Sequence, residues 1–549
     1  ICQKNGGANK MSDFEHKDTY QASEVCRMKH TFETGILSRR DFMQGLLAVG
    51  LTATTATAIV TGSFDVRAQT VKKGGRLRAA WSTHGPTDTL DPILFTEGLA
   101  YSRGRAHLNN LVQFNDDLSV RPELAENVEV NSNATEFTFE LRKGVTFHDG
   151  KDFTADDVVY TMNRHMGEDS VSKAKTLVGM VSEWKKIDSH TVKAVLSSPN
   201  ADLLPTLATF HFKVVQDGAE QKEGYFNKVI GTGPFTCEEF TPGVRSVSKR
   251  NPNYWREGPN LDELELFGIT DQVARQNALA SGDIQMMSDL DFKAIKLIES
   301  NPDLQIHSVE SGAYTNYVLM LDRAPGNNPD FVETIKLIQN RSRLVRAVLK
   351  GQGGVGNDHP IGPAYGVHHC ETLEQTELDH DRATFHLKKS GISEMEVITS
   401  DAAGAGANDM TLIMQAEAAK IGLKLQVKKV PSDGYWGTVW MNTPFHVSGW
   451  NMRPTAYVMM ELAYGPEAPW NESVWKNERM GMLLESARST SDEAKRKDMF
   501  CEMQTLIRAE AGSPLPMHSS YVDAASAKVQ GLPRVPLAQF GGAEWPEFV

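Results

Sequence analysis

Aromatic and charged side chains that could hold a small molecule are concentrated late in the chain. Five of the nine tryptophans fall between residues 436 and 475: Trp436, Trp440, Trp450, Trp470 and Trp475. Glycines and prolines surround them, which indicates loops from which aromatic rings can stack on a ligand. Any single tryptophan is more often a core residue than a ligand contact. Within this cluster in loops, we rank Trp436 and Trp450 first as candidates for stacking.

Arg453 lies three residues after Trp450 and directly before Pro454. A guanidinium is a planar fork of donors that can bind a carboxylate through two hydrogen bonds. We therefore expect Arg453 to hold an anionic group of a ligand. The alternatives are an ion pair with a nearby acid such as Glu461, or an exposed arginine without a ligand.

The motifs of common hydrolases and nucleotide-binding proteins are incomplete or missing. The sequence contains neither Gly-x-Ser-x-Gly nor His-Glu-x-x-His, and residues 182–185 (SEWK) match a Ser-x-x-Lys motif without its companion motifs. The glycine-rich segments 351–357 and 404–409 lack the residues that complete a phosphate or dinucleotide loop. We predict no catalytic residues and no cofactor.

Side chains that could bind a metal cluster only at His359, His368, His369 and Cys370. Two adjacent histidines do not easily face one ion, so we predict no metal site and keep nickel binding as a remote alternative. Beyond residue 68 the cysteines are Cys237, Cys370 and Cys501, which permit at most one disulfide and are equally compatible with three free thiols.

Charge and hydrophobicity argue against a nucleic-acid partner and against a membrane-spanning segment after residue 68. The formal net charge is −13 and basic residues do not form a block, which argues against a nucleic-acid partner. After residue 68, no apolar stretch approaches the roughly 20 residues that span a bilayer.

The N-terminal region has the pattern of an export signal. Arg39 and Arg40 precede an apolar run over residues 44–62, and Ala68 ends a segment typical of a signal-peptidase site. Residues 38–43 (SRRDFM) resemble a twin-arginine signal, and the general secretory route is the alternative. We expect cleavage after Ala68, export to the periplasm, and a separate extension over residues 1–37.

Local patterns predict a mixed α/β fold. Thr154 and Asp157 form a capping pair for a helix that extends to about His165, and a second helix is expected over residues 272–281 before Gly282. Residues 395–399, 410–421 and 423–427 read as strand, helix and strand, which is one βαβ unit with parallel strands. With the alternating strand over residues 75–81, both halves of the chain are α/β.

Several separated motifs occur in the order found in one protein family. They are residues 124–126 (LAE), 141–150 (LRKGVTFHDG), 153–158 (FTADDV), 231–235 (GTGPF), 250–255 (RNPNYW), 258–263 (GPNLDE) and 495–504 (KRKDMFCEMQ). In these segments the chain resembles the extracellular solute-binding proteins of family 5, the peptide and nickel receptors of ABC importers.

The resemblance implies a two-lobed periplasmic binding protein fold, with a smaller subdomain inserted in the first lobe and a ligand cleft between the lobes. We expect a leader over residues 1–68, lobe I over 69–117, the inserted subdomain over 118–231, the rest of lobe I over 232–312, lobe II over 313–524, and a return to lobe I over 525–549. The chain is expected to cross between the lobes near Gly312 and again near Ala525.

The predicted ligand-binding set combines the aromatic cluster with residues expected at the cleft: Trp81, His84, Tyr317, Asp358, Trp436, Trp450, Arg453, Thr455 and Trp470. Peptide receptors of the family often carry acidic residues after the Trp or Gly of this region, whereas residues 449–456 read GWNMRPTA. Asp358 or Asp433 could supply a negative partner instead.

The expected function is capture of a peptide or a similar small solute, including carboxylate-bearing ones, for delivery to the membrane permease of an ABC importer. We expect a monomer that closes on its ligand. The alternatives are a secreted hydrolase, an envelope scaffold and a nickel-chelate receptor of the same family.

Overall fold

The computed structural model describes residues 73–82, 88–432, 434–468 and 470–537. The strands in chain order are β1 (Arg76–Trp81), β2 (Val112–Phe114), β3 (Val120–Pro122), β4 (Ala125–Val130), β5 (Glu136–Leu141), β6 (Val181–Asp188), β7 (Thr191–Leu196), β8 (Phe235–Thr241), β9 (Arg245–Arg250), β10 (Glu263–Gly268), β11 (Met286–Met287), β12 (Leu304–Leu319), β13 (Gly353–Val355), β14 (Glu394–Thr399), β15 (Lys424–Lys429), β16 (Phe445–Trp450) and β17 (Met517–Ser526). The predicted leader and its cleavage site lie outside the described residues.

Helices are distributed along both halves of the chain. They are α1 (Gly98–His107), α2 (Ala155–Asn163), α3 (Leu203–Leu207), α4 (Gln272–Ser281), α5 (Ile295–Glu299), α6 (Pro329–Leu337), α7 (Arg341–Ala347), α8 (His380–Ser390), α9 (Ala407–Lys420), α10 (Tyr435–Thr438), α11 (Ala456–Tyr464), α12 (Glu478–Ser489) and α13 (Glu493–Glu510). None of these helices is long and apolar enough to cross a membrane.

One mixed sheet of eleven strands organises the fold. Its order is β15-β14-β16-β12-β17-β11-β1-β10-β9-β8, with β13 paired to β17. The outer strands β14 and β15 are parallel and joined by α9, and β1 is parallel to β10 and β11. Crossover helices cover parallel strands, and for this reason each end of the sheet has helices packed against it.

Two long strands carry the chain between the two lobes. The C-terminal half of β12 pairs with β16, and its N-terminal half pairs with the C-terminal half of β17. The pairing of β12 with β17 is irregular between Val309 and Ala313, which includes Gly312. Met517–Ser519 of β17 pairs with β13, whereas Ala524 and Ala525 pair with β11.

We call the half with β11, β1, β10, β9 and β8 lobe I, and the half with β13 to β16 lobe II. The apolar core of lobe II lies around α6, α7, α9 and the ends of β12 and β16, and a second core lies under α11, α12 and α13. Lobe I has its own cores beside β1 and around β11.

The inserted segment (118–231) has its own sheet and core. Strands β4, β5, β7 and β6 form an antiparallel sheet in the order β4-β5-β7-β6, and α2 packs against β6 and β7. Phe137, Phe139 and Trp184 are among its buried residues. The exact domain boundaries stay predictions.

The predicted secondary structure is confirmed with small shifts at the ends. Helix α4 spans the predicted residues, with the Asp271 side chain accepting from the Ala274 N–H and with Gly282 in the left-handed region. The Thr154 capping box is present, but α2 ends at Asn163, two residues early. Helix α9 begins at Ala407, three residues early, because Gly406 adopts a left-handed conformation that starts the helix.

A disulfide joins Cys370 to Cys501, with their Cα atoms 4.9 Å apart. The three cysteines after residue 68 permit at most one disulfide, and Cys370 and Cys501 form it. It ties the loop after residue 357 to the outer helix α13. Cys237, the third described cysteine, is a half-buried free thiol.

Candidate ligand-binding site

Arg453 lies where the chain crosses between the lobes. Strand β16 ends at Trp450, which pairs with Tyr314 just after the irregularity in β12. A Cβ atom at Gly312 would lie 2.5 Å from the Tyr365 ring and 3.1 Å from Cγ of Met452. The missing side chain of Gly312 therefore lets residues 451–454 pack directly on the crossing strand.

The Arg453 side chain makes few internal contacts. Its guanidinium lies over the Trp450 ring, 5.3 Å from the ring centroid, and Nη1 donates to the Asn451 carbonyl at 3.4 Å. The backbone N–H of Arg453 donates to the Tyr365 hydroxyl at 3.1 Å. Among the described residues no carboxylate forms an ion pair with Arg453. Glu461, the predicted internal alternative, interacts with Tyr457 and Arg488.

The positive charge of this arginine acts on tyrosines from different parts of the fold. Burial raises the pKa of Tyr101 to about 12, and the positive charge of Arg453 acts in the opposite direction. Burial likewise raises the pKa values of Tyr365 and Tyr521, and Arg453 again opposes the shift. The charge of Arg453 therefore reaches α1 of lobe I, β17 at the crossing, and a loop of lobe II.

The Tyr101 ring is fixed by aromatic neighbours. It stacks on Phe210 of the inserted segment with ring centroids 3.5 Å apart and an interplanar angle of 18°. Phe95 packs against it at 6.3 Å. Because Phe210 and Phe95 hold the Tyr101 ring from two sides, the position of this ring is preorganised.

Asp289 supplies a negative charge that acts on one of these tyrosines, Tyr521. It adopts a left-handed backbone conformation with φ of 55°, two residues after the end of β11. Its carboxylate accepts from the hydroxyls of Ser288, at 2.8 Å, and Ser82, and its N–H donates to Asp523 at 2.9 Å. Both Arg453 and Asp289 act on the pKa of Tyr521, in opposite directions. The region around Tyr521 thus combines the positive charge of Arg453 with two carboxylates, Asp289 and Asp523.

Three predicted site residues come together here: Trp450, Arg453 and Trp470. The two indole rings meet edge to face, with centroids 5.9 Å apart and an interplanar angle of 62°. Trp450 is 7% exposed, whereas Trp470 is 40% exposed. One face of the pair is therefore buried in lobe II, and the other is open to solvent beside Arg453.

Three other predicted site residues pack into the fold instead. Trp81 is fully buried in a lobe I core at the end of β1. Tyr317 is fully buried in the main lobe II core, where its ring lies 6.2 Å from that of Phe445. The Thr455 hydroxyl accepts from the Val458 N–H at 3.1 Å and caps α11. Each of these side chains packs within its own lobe, and a ligand role for any of them stays a prediction.

Asp358 is also committed to the fold. It is fully buried and accepts two hydrogen bonds from Nη2 of Arg341, at 2.7 and 2.9 Å, and one from the Leu515 N–H at 3.0 Å. A carboxylate neutralised in this way is not available as a negative partner for a ligand. The other acid suggested for that role, Asp433, lies outside the described residues, as does His84.

Trp436 is separate from the Trp450 pair. It is 44% exposed and meets Tyr435 and Trp440 edge to face, at 5.6 and 5.7 Å. The histidine and cysteine cluster forms no metal site: across the described ranges, no group of three or more potential ligands could hold an ion. Cys370 is in the disulfide, and His368 instead pairs with Glu493 at 3.1 Å.

The sequence gives no signal that singles out Tyr101, Tyr365, Tyr521 or Asp289 as site residues. Each lies in a different part of the chain, and no local pattern distinguishes these residues from ordinary core or surface positions. Only the pairing of β12 with β17 and the packing of α1 bring them to one place.

Comparison with known proteins places this geometry in a family. Residues 119–468 match the model of "Bacterial extracellular solute-binding proteins, family 5 Middle". The chain belongs to this family. It is 26% identical over 540 residues to the dipeptide-binding protein of Escherichia coli (strain K12), covering 90% of this chain and 97% of that protein.

Solved structures of similar proteins have the same two-lobed α/β fold. HbpA2 from Haemophilus parasuis aligns with a TM-score of 0.76 and 21% identity, over 86% of this chain and 99% of the other. DppA from Helicobacter pylori, solved in complex with the peptide STSA, aligns with a TM-score of 0.72 and 22% identity, over 87% and 98%. This family 5 protein therefore has the fold that its sequence motifs predict.

Proposed function

We propose that this family 5 protein is the periplasmic receptor of an ABC importer, and that it captures a peptide or another small solute with a carboxylate. Arg453 at the lobe crossing is the observation that carries this proposal. Its guanidinium lies over Trp450 and has no acidic partner among the described residues, and its positive charge acts on tyrosines of both lobes. An anion bound there would be shielded from water by the rings, and shielding strengthens a bidentate hydrogen-bonded ion pair.

Asp289 fits the other end of a peptide-like solute. A peptide carries a carboxylate and an ammonium group, and near Tyr521 the positive charge of Arg453 lies together with the carboxylates of Asp289 and Asp523. The dipeptide-binding relative in Escherichia coli points to the same class of solute. We propose that Trp450 and Trp470 contact the apolar part of the solute beside Arg453.

Mass spectrometry of the solute that copurifies with the protein would identify the ligand class. Calorimetry with a defined dipeptide, Ala-Ala, tests the role of the arginine. Arg453→Ala should weaken Ala-Ala binding by about 2–5 kcal/mol while the melting temperature of the empty protein changes little. Arg479→Ala is the matched control, because Arg479 is exposed and pairs with Glu502 at 2.7 Å. Equal affinities of the two variants would contradict the proposal.

Closure of the lobes is expected on binding, because hinge motion is the usual response of two-lobed receptors. Small-angle scattering with and without saturating Ala-Ala should record compaction of a monomer. An unchanged profile at verified saturation would argue against closure. Delivery to a membrane permease follows from the proposed receptor role, and reconstituted uptake with the cognate permease would measure it.

Export is proposed through the twin-arginine route with cleavage after Ala68. The Arg-Arg pair and the apolar run that follows it support this route. Changing Arg39 and Arg40 together to Lys should block export, and N-terminal sequencing of the exported protein should begin at Gln69. Normal export of that variant would indicate the general secretory route instead.

A further inference from the structure

A cavity of about 340 Å³, counted with the solvent at its mouth, lies beside the aromatic stack of Tyr101 and Phe210. Three parts of the chain meet in its wall: α1 supplies Arg105, the inserted segment supplies Phe210 and Lys213, and the return segment supplies Val535. Phe210 also stacks on Tyr101, with ring centroids 3.5 Å apart. The cavity is therefore one aromatic ring away from a residue of the candidate ligand-binding site.

Positive charge is concentrated on this wall. Lys213 is only 3% exposed, and Arg105 is half-buried in the last turn of α1. Both side chains line the cavity, and among the described residues that line it none is acidic. A cation at the C-terminal end of a helix interacts favourably with the helix dipole, which accounts for Arg105 but not for Lys213. The cavity is suited to an anionic group, which both cations would attract.

The wall that carries Phe210 is held in place by Asn110. The Asn110 side chain lines the cavity, and its Nδ2 donates to the carbonyls of Leu207 and Thr209 at 2.8 and 2.7 Å. The Asn110 side chain is itself 1% exposed. The segment directly before Phe210 is thus fixed before any ligand enters, and a preformed wall lowers the cost of binding.

Gln113 adds a polar group that lacks a partner. It lines the same cavity, and its Oε1 is buried without a hydrogen-bond partner in the described structure. The two ends of a side-chain amide exchange positions when the amide turns, so Gln113 can present either its oxygen or its N–H groups to a bound group. Buried polar atoms in folded proteins are nearly always paired, and a ligand in this cavity would supply the missing partner.

Tyr101 is a neighbour of both the cavity and the Arg453 site. Arg105 follows Tyr101 by four residues on α1, and residues at this spacing lie on one face of a helix. The positive charge of Arg453 acts on Tyr101. A solute bound at Arg453 therefore has a second group of cations beside the same ring.

We propose that this cavity is a second anion subsite, in which Lys213 and Arg105 bind an acidic side chain of the captured solute. The inference rests on the proposed function, in which Arg453 receives the terminal carboxylate. It narrows the class of solute to a small peptide, or a similar molecule, with two carboxylates. Phe210 and Tyr101 should shield the second carboxylate from water, which strengthens its ion pairs.

Two dipeptides of nearly equal shape isolate the second carboxylate. Ala-Glu and Ala-Gln differ only in replacing the side-chain carboxylate with a neutral amide. Calorimetry on the native protein should give Ala-Glu the higher affinity by about tenfold or more, as expected for hydrogen bonds to a charged group. Lys213→Met and Arg105→Met should each bring the ratio of the two affinities toward one. Equal affinities in the native protein, or an unchanged ratio in either folded variant, would overturn the proposal.

A matched variant controls for the loss of one positive charge. Lys186→Met also removes a lysine of the inserted segment, at a side chain that is 43% exposed and pairs with Asp156 at 2.7 Å. This variant should keep the preference for Ala-Glu, and a preference lost equally in Lys186→Met would refute a local subsite. Ala-Ala, which has no acidic side chain, should bind native protein and Lys213→Met equally. If Lys213→Met does not fold, Arg105→Met decides the outcome.

A probe without a peptide bond separates the subsite from the proposed function. If none of the three dipeptides binds the native protein, the proposed function fails, and glutarate then tests the cavity. A ligand that binds only the folded state raises the melting temperature. Glutarate should raise it more than glutarate monoamide does, and Lys213→Met should remove that difference while Lys186→Met keeps it. No difference between the two probes on the native protein, or a difference that survives in Lys213→Met, would overturn the anion subsite.

Discussion

A buried ion pair joins the inserted segment to lobe II, and breaking it should have a large effect on stability. Arg496 of α13 donates from Nη2 to both carboxylate oxygens of Asp202, at 2.9 and 3.0 Å, and the two side chains are 3% and 6% exposed. The Ala201 N–H donates to the Arg488 carbonyl at 2.9 Å beside it. These contacts connect the inserted segment to lobe II, and each of these two parts has its own apolar core.

The expected magnitude follows from burial. Removing one partner leaves an uncompensated charge in a closed site, which costs about 3–5 kcal/mol. Burial raises the pKa of Asp202 even though Arg496 acts in the opposite direction, so desolvation outweighs the attraction of the pair. Replacing both partners by apolar residues should therefore cost little. We expect Arg496→Met to destabilise by about 3–5 kcal/mol and Asp202→Leu with Arg496→Met to recover most of that loss.

Urea unfolding monitored by circular dichroism and by tryptophan fluorescence would measure these differences. The matched control is the pair between Lys293 and Asp409, which also joins the two lobes but has side chains 71% and 47% exposed at 3.2 Å. Lys293→Ala should cost no more than about 1 kcal/mol. The reasoning is refuted if Arg496→Met is no less stable than Lys293→Ala, or if the double variant is as unstable as the single one.

Three further changes test other parts of the structure. Burial lowers the pKa of His446 in the folded protein to about 4. Between pH 4 and about pH 6.5 the unfolded chain therefore binds more protons than the folded protein, and stability is lost as the pH falls. His446→Asn should remove up to about 3 kcal/mol of this loss, measured by unfolding curves at pH 7 and pH 4. Cys370→Ser should lower stability by about 2–4 kcal/mol, and a reductant should have the same effect on the native protein but none on the variant. Gly231→Ala places a Cβ 1.9 Å from the His107 carbonyl and should destabilise by at least about 1–3 kcal/mol, whereas Gly354→Ala, with open space, should be neutral in a thermal melt.

Local signals explain which parts of the fold could be predicted from the sequence. Helix α4 is bounded by Asp271 and Gly282, which act within a few residues of the ends that they fix. The βαβ unit from β14 to β15 is predicted in the same way, by the alternation of apolar and polar residues in its strands and by Gly422, which follows its helix. The pairing of β12 with β17 joins segments about two hundred residues apart, and no local pattern contains that information.

The candidate site was predictable only in part for the same reason. Arg453 and Trp450 were found because unusual residue types stand close together in the sequence. Thr455 stands before an apolar helix, which is an N-cap signal that competes with a ligand role, and the structure places it at the N-cap. The pairing of Asp358 with Arg341 joins two separate elements and can be recognised only in three dimensions.

The net charge of −13 does not conflict with an anionic ligand at Arg453. At physiological ionic strength charges are screened over about 8 Å, so a solute responds mainly to the groups that line the crossing. There the half-buried arginine, shielded by Trp450 and by tyrosines of both lobes, keeps its attraction, whereas distant surface acids do not contribute. The affinity for Ala-Ala should therefore change little between 0.05 and 0.5 M salt, on the order of twofold, and its association rate should also change little, because Ala-Ala carries one positive and one negative charge and has no net charge for the surface acids to repel. Calorimetry and stopped-flow fluorescence at both salt concentrations measure the two quantities, and an affinity that collapses at high salt would place the anion at an exposed surface instead of at Arg453.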